Sequence, residues 1–362
     1  MSQKNILSII LATAPFSYIL GTFALNLNIL LIIFGALRVF LNGKRFKIIQ
    51  IDIIIFLFFF YILFSGIFNT YEIYYIENSL NKDFTILNKS LFFLRYLLLY
   101  TSIRLLFSND LINFNIIFYF YSIATILIST DIILQFYSGT NLIGLQSPIP
   151  HKITSFFYDE AIAGGFLQRY SLFLFFLLVI TKFLEKNILK LFVLVLFFIL
   201  IITAIIFSGN RMPFLLFVFS ILLIFLTNQT LKKNFVIISI FIIFVSFIVM
   251  SFSTKLKHHY VTFYDETSKI VSLYSYRIFG TGSDLVETKR PFYIHEFDAG
   301  IETFKLNKYI GGGVKSFRYN CPKRIIKSVH SRTTCNMHPH NYYLEILVDL
   351  GIFGFFIFSY IG

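Results

Sequence analysis

The sequence predicts an all-α polytopic membrane protein, and its composition is the first evidence. Hydrophobic residues make up 57% of the 362 residues, charged residues only 14%, and the mean hydropathy is +0.77. A soluble domain usually carries about 25% charged residues, so an ordinary soluble enzyme and a disordered chain are both excluded. Phenylalanine occurs 49 times, which supplies ample apolar surface to face lipid. A chain of this kind satisfies its backbone polar groups inside a bilayer by forming helices.

Long apolar runs are the second observation, since a spanning helix needs about 20 mostly apolar residues. Ten candidate spans are predicted, at 5–22, 24–41, 48–68, 90–107, 112–136, 161–181, 189–208, 212–227, 235–252 and 341–362. We expect the first to be a retained helix and not a cleaved signal peptide, because Pro15 directly follows the Ala12-Thr13-Ala14 stretch that resembles a cleavage site. The last run reaches Gly362 with no polar flank, so a truncated C-terminus is expected.

The distribution of charge between the short loops is the third observation. Basic residues favour the cytoplasmic side, and three loops carry them: Lys44, Arg45 and Lys47; Lys182, Lys186 and Lys190; Lys232 and Lys233. The loops 69–89 and 137–160 each sum to −1 and are predicted to lie outside. The chain is therefore divided into an N-terminal transmembrane bundle (1–252), a large outer loop domain (253–340) and a further transmembrane helix (341–362).

The large loop is the predicted location of the chemistry. It contains 14 Lys/Arg and 7 Asp/Glu, which gives +7 of the chain's net +13. Loops longer than about 60 residues translocate largely regardless of charge. Six of the seven histidines lie in this loop: His258, His259, His295, His330, His338 and His340. Because the basic domain is predicted to face away from the cytoplasm, nucleic acid is excluded as a partner.

Both cysteines, Cys321 and Cys335, lie in the same loop, where an oxidising compartment would let them pair. Two free thiols or a metal site are the alternatives. His330, Cys335, His338 and His340 fall within 11 residues, a density of soft ligands that suggests zinc. Their spacing fits no standard zinc site, so no metal is expected.

A cluster of polar residues marks the point where the loop enters the last apolar run. His338-Pro339-His340-Asn341 precedes the run, and Gly351 and Gly354 lie within it. Pro339 suits the first turn of a helix, which would place His340 in that turn, and imidazole is well suited to proton transfer near neutral pH. Gly351 and Gly354 are expected to share one helix face and admit a close neighbour. The alternative is an interfacial histidine with a packing glycine pair.

These residues resemble the bacterial O-antigen ligases and related O-antigen polymerases. In that family a His-Asn pair is followed by nine residues, a glycine, two residues and a small residue, as His340-Asn341, Gly351 and Gly354 are here. Arg211, followed by three residues and Leu215, resembles the family's arginine in a short periplasmic loop. Arg290, ahead of Phe304-Lys305 and the glycine run 311–313, resembles the family's loop arginine, with Arg277 as the competing candidate.

The resemblance implies a glycan transfer on the periplasmic side of the bacterial inner membrane, by a fold of about a dozen spans. The implied partners are a glycan donor on undecaprenyl pyrophosphate, a lipid A–core acceptor and membrane lipid, with no cofactor. His340 would accept a proton from the attacking hydroxyl. Arg211 and Arg290 would bind the donor's phosphates, for which arginine has the right geometry and a permanent charge.

The remaining site predictions concern binding and structure. Asn341 is expected to orient His340 or the acceptor, and further substrate contacts are predicted for His338, Arg277, Lys289 and Arg318. Structural roles are predicted for Gly351, Gly354, Cys321 and Cys335. The glycine run 311–313 would either offer backbone N–H groups to an anion or form a simple turn.

Three alternative functions stay open at this point. An O-antigen polymerase and a protein-directed ligase share the loop and the histidine motif. A transporter or flippase is the more distant alternative, because charged residues in the apolar runs line substrate paths in such proteins. The residues in question are Arg95, Arg104, Asp131 and Arg169. A transporter would not need a histidine-bearing outer loop, and paired broken helices in two halves of the chain are not evident in the sequence.

Overall fold

A computed structural model describes most of the chain. The described residues are 2–75, 84–149, 151–180, 188–227, 235–251, 254–279, 292–323 and 335–361. Within them the chain is helical, without a β-strand apart from one isolated bridge between Thr140 and Gln146. The predicted all-α class is therefore confirmed for these residues.

The described residues form fourteen α-helices. They are α1 (Gln3–Ala12), α2 (Ala14–Ile19), α3 (Thr22–Leu41), α4 (Gln50–Tyr75), α5 (Thr85–Ser108), α6 (Phe114–Ser138), α7 (Ala163–Ile180), α8 (Ile188–Phe207), α9 (Arg211–Thr227), α10 (Phe235–Ser251), α11 (Thr254–Phe279), α12 (Phe292–Phe304), α13 (Phe317–Asn320) and α14 (Tyr342–Ile361). Short 3₁₀ turns follow Thr154 and Asn320.

Five of the described helical stretches are long and apolar enough to cross a membrane. They are Thr22–Leu41, Gln50–Tyr71, Thr85–Ser108, Phe114–Ser138 and Tyr342–Ile361. Three shorter apolar stretches are Val195–Phe207, Arg211–Ile224 and Ile240–Val249. A helical membrane protein is thus supported, while the count of ten spans and the large outer loop stay predictions.

The first predicted span, 5–22, is not one continuous helix. The chain leaves the helix at Thr13, so α1 and α2 are separate. Pro15 lies in the first turn of α2, and a proline cannot donate to the preceding turn. Asn28 of α3 donates to the Ile10 carbonyl (2.8 Å) and to Thr13 Oγ1 (2.9 Å), which satisfies polar groups at the interruption. The sequence contained this signal, because a proline inside an apolar run ends or kinks a helix.

The helices pack into two compact units. The first consists of Met1–Gly35 and Asp110–Asp265, and the second of Ala36–Asn109 and Glu266–Gly362. These units group residues by packing, whereas the predicted boundaries 1–252, 253–340 and 341–362 separate membrane from outer segments. Those boundaries therefore remain a prediction.

The core of the first unit lies among α6 to α10. Its largest fully buried side chains include Phe166, Phe217 and Ile132, and Phe136 stacks on Phe207 with ring centroids 4.1 Å apart. Inside lipid the close packing of such side chains holds helices together, because lipid is as apolar as the side chains themselves.

In the second unit, α4 and α5 are tied by a buried ion pair. Both carboxylate oxygens of Asp52, which is fully buried, accept hydrogen bonds from Arg104, at 2.9 and 3.0 Å. Tyr100 also donates to this carboxylate. A buried carboxylate is stable only when it is paired and hydrogen-bonded, and these contacts meet that requirement.

The last helix, α14, is broken at Gly351, which has φ +65° and ψ −169°. A helix break frees backbone groups that need partners. The turn at 308–313 supplies them through reciprocal hydrogen bonds: Gly312 N to Val348 O (2.9 Å), Gly313 N to Asp349 O (2.8 Å) and Ile352 N to Lys308 O (2.9 Å). We call residues 308–313 the glycine turn. Its backbone forms hydrogen bonds with the backbone of α14 on both sides of Gly351.

One polar face of α4 holds the glycine turn from the other side. The three residues on this face, Tyr61, Ser65 and Asn69, are four positions apart and therefore lie on the same side of the helix. Their bonds to the turn are Tyr61 Oη to Ile310 O (3.3 Å), Ser65 Oγ to Ile310 O (3.2 Å) and Asn69 Nδ2 to Gly311 O (3.0 Å). Tyr61 Oη also lies 3.1 Å from Leu350 O of α14. Residues of the predicted outer loop are thus packed between two helices that are apolar enough to span a membrane.

The predicted regular helix with Gly351 and Gly354 on one face is wrong at Gly351. A Cβ at Gly351 would lie 2.2 Å from Tyr309 O, so the glycine is required by its positive φ and by the approach of the glycine turn. Gly354 does admit a close neighbour, because a Cβ there would lie 2.9 Å from the Tyr61 ring. The two glycines therefore have different roles.

Gly351→Ala is expected to lower the free energy of unfolding by more than about 2 kcal/mol, because it combines backbone strain with a backbone clash. Thermal and denaturant unfolding of the detergent-solubilised chain measures the change. Gly165→Ala in α7 is the matched control, since its new Cβ would find its nearest atom at 3.9 Å and should change stability by less than about 1 kcal/mol. Equal stability of the two variants would contradict the assigned role of the break.

Candidate catalytic site

His340 lies just before α14 and not in its first turn as expected. Asn341 caps the helix, since its Oδ1 accepts from Tyr343 N (3.0 Å) and Leu344 N (3.2 Å). Helix α14 accordingly begins at Tyr342, and His340 precedes the cap in a left-handed conformation with φ +50°. The prediction failed because Asn341, a strong capping residue, makes the helix begin at Tyr342, three residues after Pro339.

Glu296 of α12 faces the His340 imidazole. Its Oε1 lies 3.5 Å from His340 Nε2, and the side chain of Glu296 is 3% exposed whereas that of His340 is 43% exposed. Asn336 Nδ2 donates to the same Oε1 at 2.6 Å. The other oxygen, Oε2, is buried and has no hydrogen-bond partner among the described residues. An exposed imidazole backed by a buried carboxylate is the arrangement in which a histidine can act as a base.

Glu296 was not predicted from the sequence, although a weak signal was present. The buried positions described in α12 are Ile294, Glu296, Ala299, Gly300 and Thr303, of which the last four follow helical spacing. A carboxylate among buried apolar and small residues is out of place unless something nearby needs its charge. That partner is forty-four residues further along the chain, at His340, so spacing alone does not identify it.

The segment that carries His340, residues 335–340, packs against α12 and is linked to Cys321 by a disulfide bond. The ring centroids of His338 and His340 lie 4.4 Å apart. Pro339 is buried, and a Cβ on Gly300 would lie 3.2 Å from Pro339 Cβ. Upstream, Cys335 forms a disulfide with Cys321, which is fully buried beside Ala299 and Phe317. The segment is thereby attached to the protein core immediately before the two histidines.

The disulfide removes the predicted alternative of a zinc site that uses Cys335. A sulfur engaged in a disulfide is not the thiolate that binds zinc. Among the described residues, His, Cys, Asp and Glu side chains nowhere form a group of three placed to hold a metal ion. His330, the fourth residue of the suggested cluster, lies outside the described residues.

The glycine turn does not form the anion cradle considered from the sequence. Its three glycine N–H groups already donate to backbone carbonyls: Gly311 N to Asn307 O, Gly312 N to Val348 O and Gly313 N to Asp349 O. The Asp349 carboxylate accepts hydrogen bonds from two further backbone amides, those of Lys315 (2.6 Å) and Ser316 (2.9 Å). The run is therefore a turn, and it supplies hydrogen-bond donors to the carbonyls of the interrupted α14.

Arg211 belongs to the first unit and is the first residue of α9. Its guanidinium carbon lies 5.4 Å from the centre of the Phe263 ring on α11, a cation–π contact. Burial raises the pKa of the nearby Tyr260 hydroxyl, and the positive charge of Arg211 opposes that rise. The preceding turn is fixed, because Ile153 N donates to Ser208 O (3.1 Å).

An apolar groove of about 500 Å³ begins one turn after Arg211. It runs between α9 and α10 in the first unit. Its lining residues are Phe214, Leu215, Val218, Phe219, Leu222, Ile242, Ile243, Ser246 and Phe247. A groove with this lining suits a hydrocarbon chain.

The structure leaves the other predicted basic residues largely untested. Arg318 lies in α13, with a buried Nε that has no partner among the described residues. Arg277 lies in α11, but its side chain is outside the described residues, as are Lys289 and Arg290 altogether. The roles of these four residues therefore remain predictions. His338, His340, Asn341 and Glu296 are brought together within the second unit.

Of the four charged residues considered for a transport path, Arg104 and Asp131 have partners on other segments of the chain. Arg104 is bound to Asp52, as described above. Asp131 is buried and accepts from Leu142 N (2.7 Å) and from the Ser155 hydroxyl. Both contacts join neighbouring segments, which favours structural roles for these two residues.

The class that this geometry defines is a helical membrane protein with an exposed histidine and a buried carboxylate beside the start of α14, a helix long and apolar enough to span a membrane. The family model described as O-antigen ligase matches residues 196–359, slightly less than half of the chain. The matched stretch runs from within α8 to within α14 and contains Arg211, Glu296 and His340. The resemblance to the O-antigen ligase family is confirmed over this stretch. No curated protein and no solved structure matches the chain significantly.

Asn341→Ser is expected to keep both stability and activity, because a serine oxygen replaces the capping oxygen. Asn341→Ala should lose about 1 kcal/mol of stability through the lost cap. Unfolding in detergent and glycan transfer by membranes measure the two effects. If Asn341→Ser were as stable as the wild type but inactive, the amide would orient His340 or the acceptor, as the sequence suggested, and the capping role alone would be insufficient.

Proposed function

We propose that the protein is an O-antigen ligase that moves a glycan from undecaprenyl pyrophosphate to a sugar hydroxyl of lipid A–core. The family match supports a membrane transferase that acts on lipid-linked glycans. The observation that carries the proposal is the exposed His340 imidazole beside the buried Glu296 carboxylate, at the family's His-Asn motif. The reaction takes place on the periplasmic side of the bacterial inner membrane.

The proposed chemistry is a single displacement at the anomeric carbon. The acceptor hydroxyl oxygen attacks that carbon while its proton passes to His340, which acts as general base. The bond from the anomeric carbon to the pyrophosphate oxygen breaks, and undecaprenyl pyrophosphate leaves with the electron pair. The product carries the inverted anomeric configuration. The donor's pyrophosphate linkage supplies the driving force, so no cofactor and no metal is required.

Arginines are proposed to bind the leaving group. Negative charge builds on the pyrophosphate as the glycosidic bond breaks, and a fixed guanidinium stabilises that charge more in the transition state than in the ground state. Arg211 has a position suited to this role, because the N-terminus of α9 also favours an anion. Arg290 is proposed as the second phosphate ligand from the family resemblance. The groove beyond Arg211 is proposed to bind part of the polyprenyl chain.

The remaining basic residues are proposed as substrate contacts. His338, Arg277, Lys289 and Arg318 belong to the large loop, whose net charge of +7 favours phosphates and anionic sugars. An O-antigen polymerase and a protein-directed ligase would use the same base and leaving group with a different acceptor. The acceptor is thus the feature that the experiment must identify. Transport is a weaker alternative, because it gives no role to the His340–Glu296 pair.

Complementation of a ligase-deficient Gram-negative strain tests the proposal, with the full-length wild type and His340→Ala expressed at equal membrane levels. The host must supply a donor glycan that the enzyme accepts. The wild type is expected to restore a lipopolysaccharide ladder on lipid A–core, and His340→Ala is expected to reduce it at least about 100-fold, the contribution of a general base.

The other outcomes discriminate between the alternatives. Restoration by both proteins would show that His340 is not the base. Failure by both, followed by a restored ladder in a polymerase-deficient host, would replace the ligase by a polymerase. Glycan found on a membrane or periplasmic protein would identify a protein-directed ligase.

A further inference from the structure

We propose that Glu296 is a positioning residue that keeps the proton of His340 on Nε2 and leaves Nδ1 as the atom that accepts the substrate proton. The inference rests on the proposed function for the direction of proton transfer. The geometry itself is independent of that function, because the contact between Glu296 Oε1 and His340 Nε2 is present without any substrate.

The contacts of the Glu296 carboxylate favour one of the two imidazole nitrogens as the carrier of the proton. Asn336 Nδ2 has only hydrogens to offer, so Glu296 Oε1 acts as an acceptor towards it at 2.6 Å. The same oxygen faces His340 Nε2 at 3.5 Å. A carboxylate oxygen beside Nε2 favours the tautomer with the proton on Nε2, because a lone pair on that nitrogen would face the negative charge. A neutral imidazole with its proton on Nε2 has a bare lone pair on Nδ1.

The backbone on both sides of His340 is fixed, which makes a defined ring orientation possible. Pro339 is buried against α12 beside Gly300, and Asn341 caps α14. His340 itself is held between them at φ +50°, a conformation that is uncommon outside glycine. With the main chain held on each side, the imidazole needs only one side-chain contact to fix its ring, and Glu296 provides it.

The buried carboxylate of Glu296 is costly for folding, which indicates that it has a further use. A buried carboxyl group has a desolvation cost unless its oxygens are paired. Oε1 is paired with Asn336, but the buried Oε2 has no partner among the described residues. Stability alone would favour an apolar or amide residue here, so the carboxylate has a use beyond folding. Stabilising the imidazolium that forms when Nδ1 takes the acceptor's proton is such a use.

The experiment compares transfer by membranes that contain full-length variants, with lipid-linked glycan extracted from a host that lacks the gene as the donor. The variants are Glu296→Gln, His340→Gln and their combination. Glutamine at 296 retains an oxygen for Asn336 but removes the charge. Glu302→Gln on the same helix is the matched control, because Glu302 is 42% exposed and pairs only with Lys305 in the structure.

Glu296→Gln is expected to lower kcat about 10- to 100-fold, within the range of general-base contributions, and to change KM less than about threefold. Combining it with His340→Gln should lower the rate no further than His340→Gln alone, because residues that act as a unit are not additive. A merely structural role for Glu296 would instead give multiplicative losses. Glu302→Gln should retain wild-type kcat.

A second measurement needs no variant of Glu296 and no turnover. Nitrogen-15 NMR of the histidine-labelled chain, with the His340 signal identified by its loss in His340→Gln, reports which ring nitrogen carries the proton in the neutral imidazole. We expect the proton on Nε2 in the wild type. A proton on Nδ1 would overturn the proposal, even if Glu296→Gln failed to fold.

The outcomes separate this inference from the proposed function. Wild-type transfer by His340→Gln would overturn the base itself and this inference with it. An inactive His340→Gln, together with a fully active Glu296→Gln, would leave the function in place and overturn only the role of Glu296. Multiplicative losses in the double variant would likewise overturn it.

Discussion

The pairing of the glycine turn with the break in α14 is the interaction on which the second unit depends. A helix interrupted at Gly351 would otherwise leave backbone carbonyls and amides without partners in an apolar environment. The turn at 308–313 satisfies them, and the polar face of α4 satisfies the turn. Three segments that are far apart in sequence are thereby joined, the turn to α14 by main-chain hydrogen bonds and α4 to the turn by bonds from its side chains. None of the three can move without leaving buried polar groups unpaired.

This pairing also determines where the histidine lies. The first half of α14 is fixed at one end by the break and at the other by the Asn341 cap. The glycine turn directly follows α12 in the chain, and so the same interaction holds α12 beside α14. Glu296 lies on α12, and His340 directly precedes α14. The packing of these two helices therefore brings the two residues together. A site built on such fixed elements is better defined than one on a free loop.

The disulfide and the buried Pro339 complete the arrangement from the loop side. Closing a loop between residues 14 apart restricts the unfolded chain, a contribution of about 3 kcal/mol in the chain-entropy model. The more specific consequence is local, since Cys335 is only five residues from His340. The exposed imidazole is thus carried by a short, anchored segment and remains accessible to a substrate.

The parts of this structure that are local in sequence were predictable, and the parts that depend on pairing were not. Composition and apolar runs predicted the helical membrane class, and the spacing from His340 to Gly354 predicted the family. The sequence could not show that Gly351 breaks its helix, because the reason lies in Tyr309 and Gly311. The same limit applies to the N–H groups of Gly312 and Gly313, which donate to backbone carbonyls of α14. Glu296 was missed because its partner is distant in the chain.

The most direct test of the central claim is mass spectrometry of polyprenyl-linked glycans from the native host, with the gene deleted and then restored. If the protein consumes a lipid-linked glycan through His340, deletion should accumulate that donor, the wild-type gene should remove it, and His340→Gln should not. A ligase predicts accumulation of long lipid-linked polymer. An unchanged pool of lipid-linked glycan after deletion, or full clearance by His340→Gln, would contradict the account.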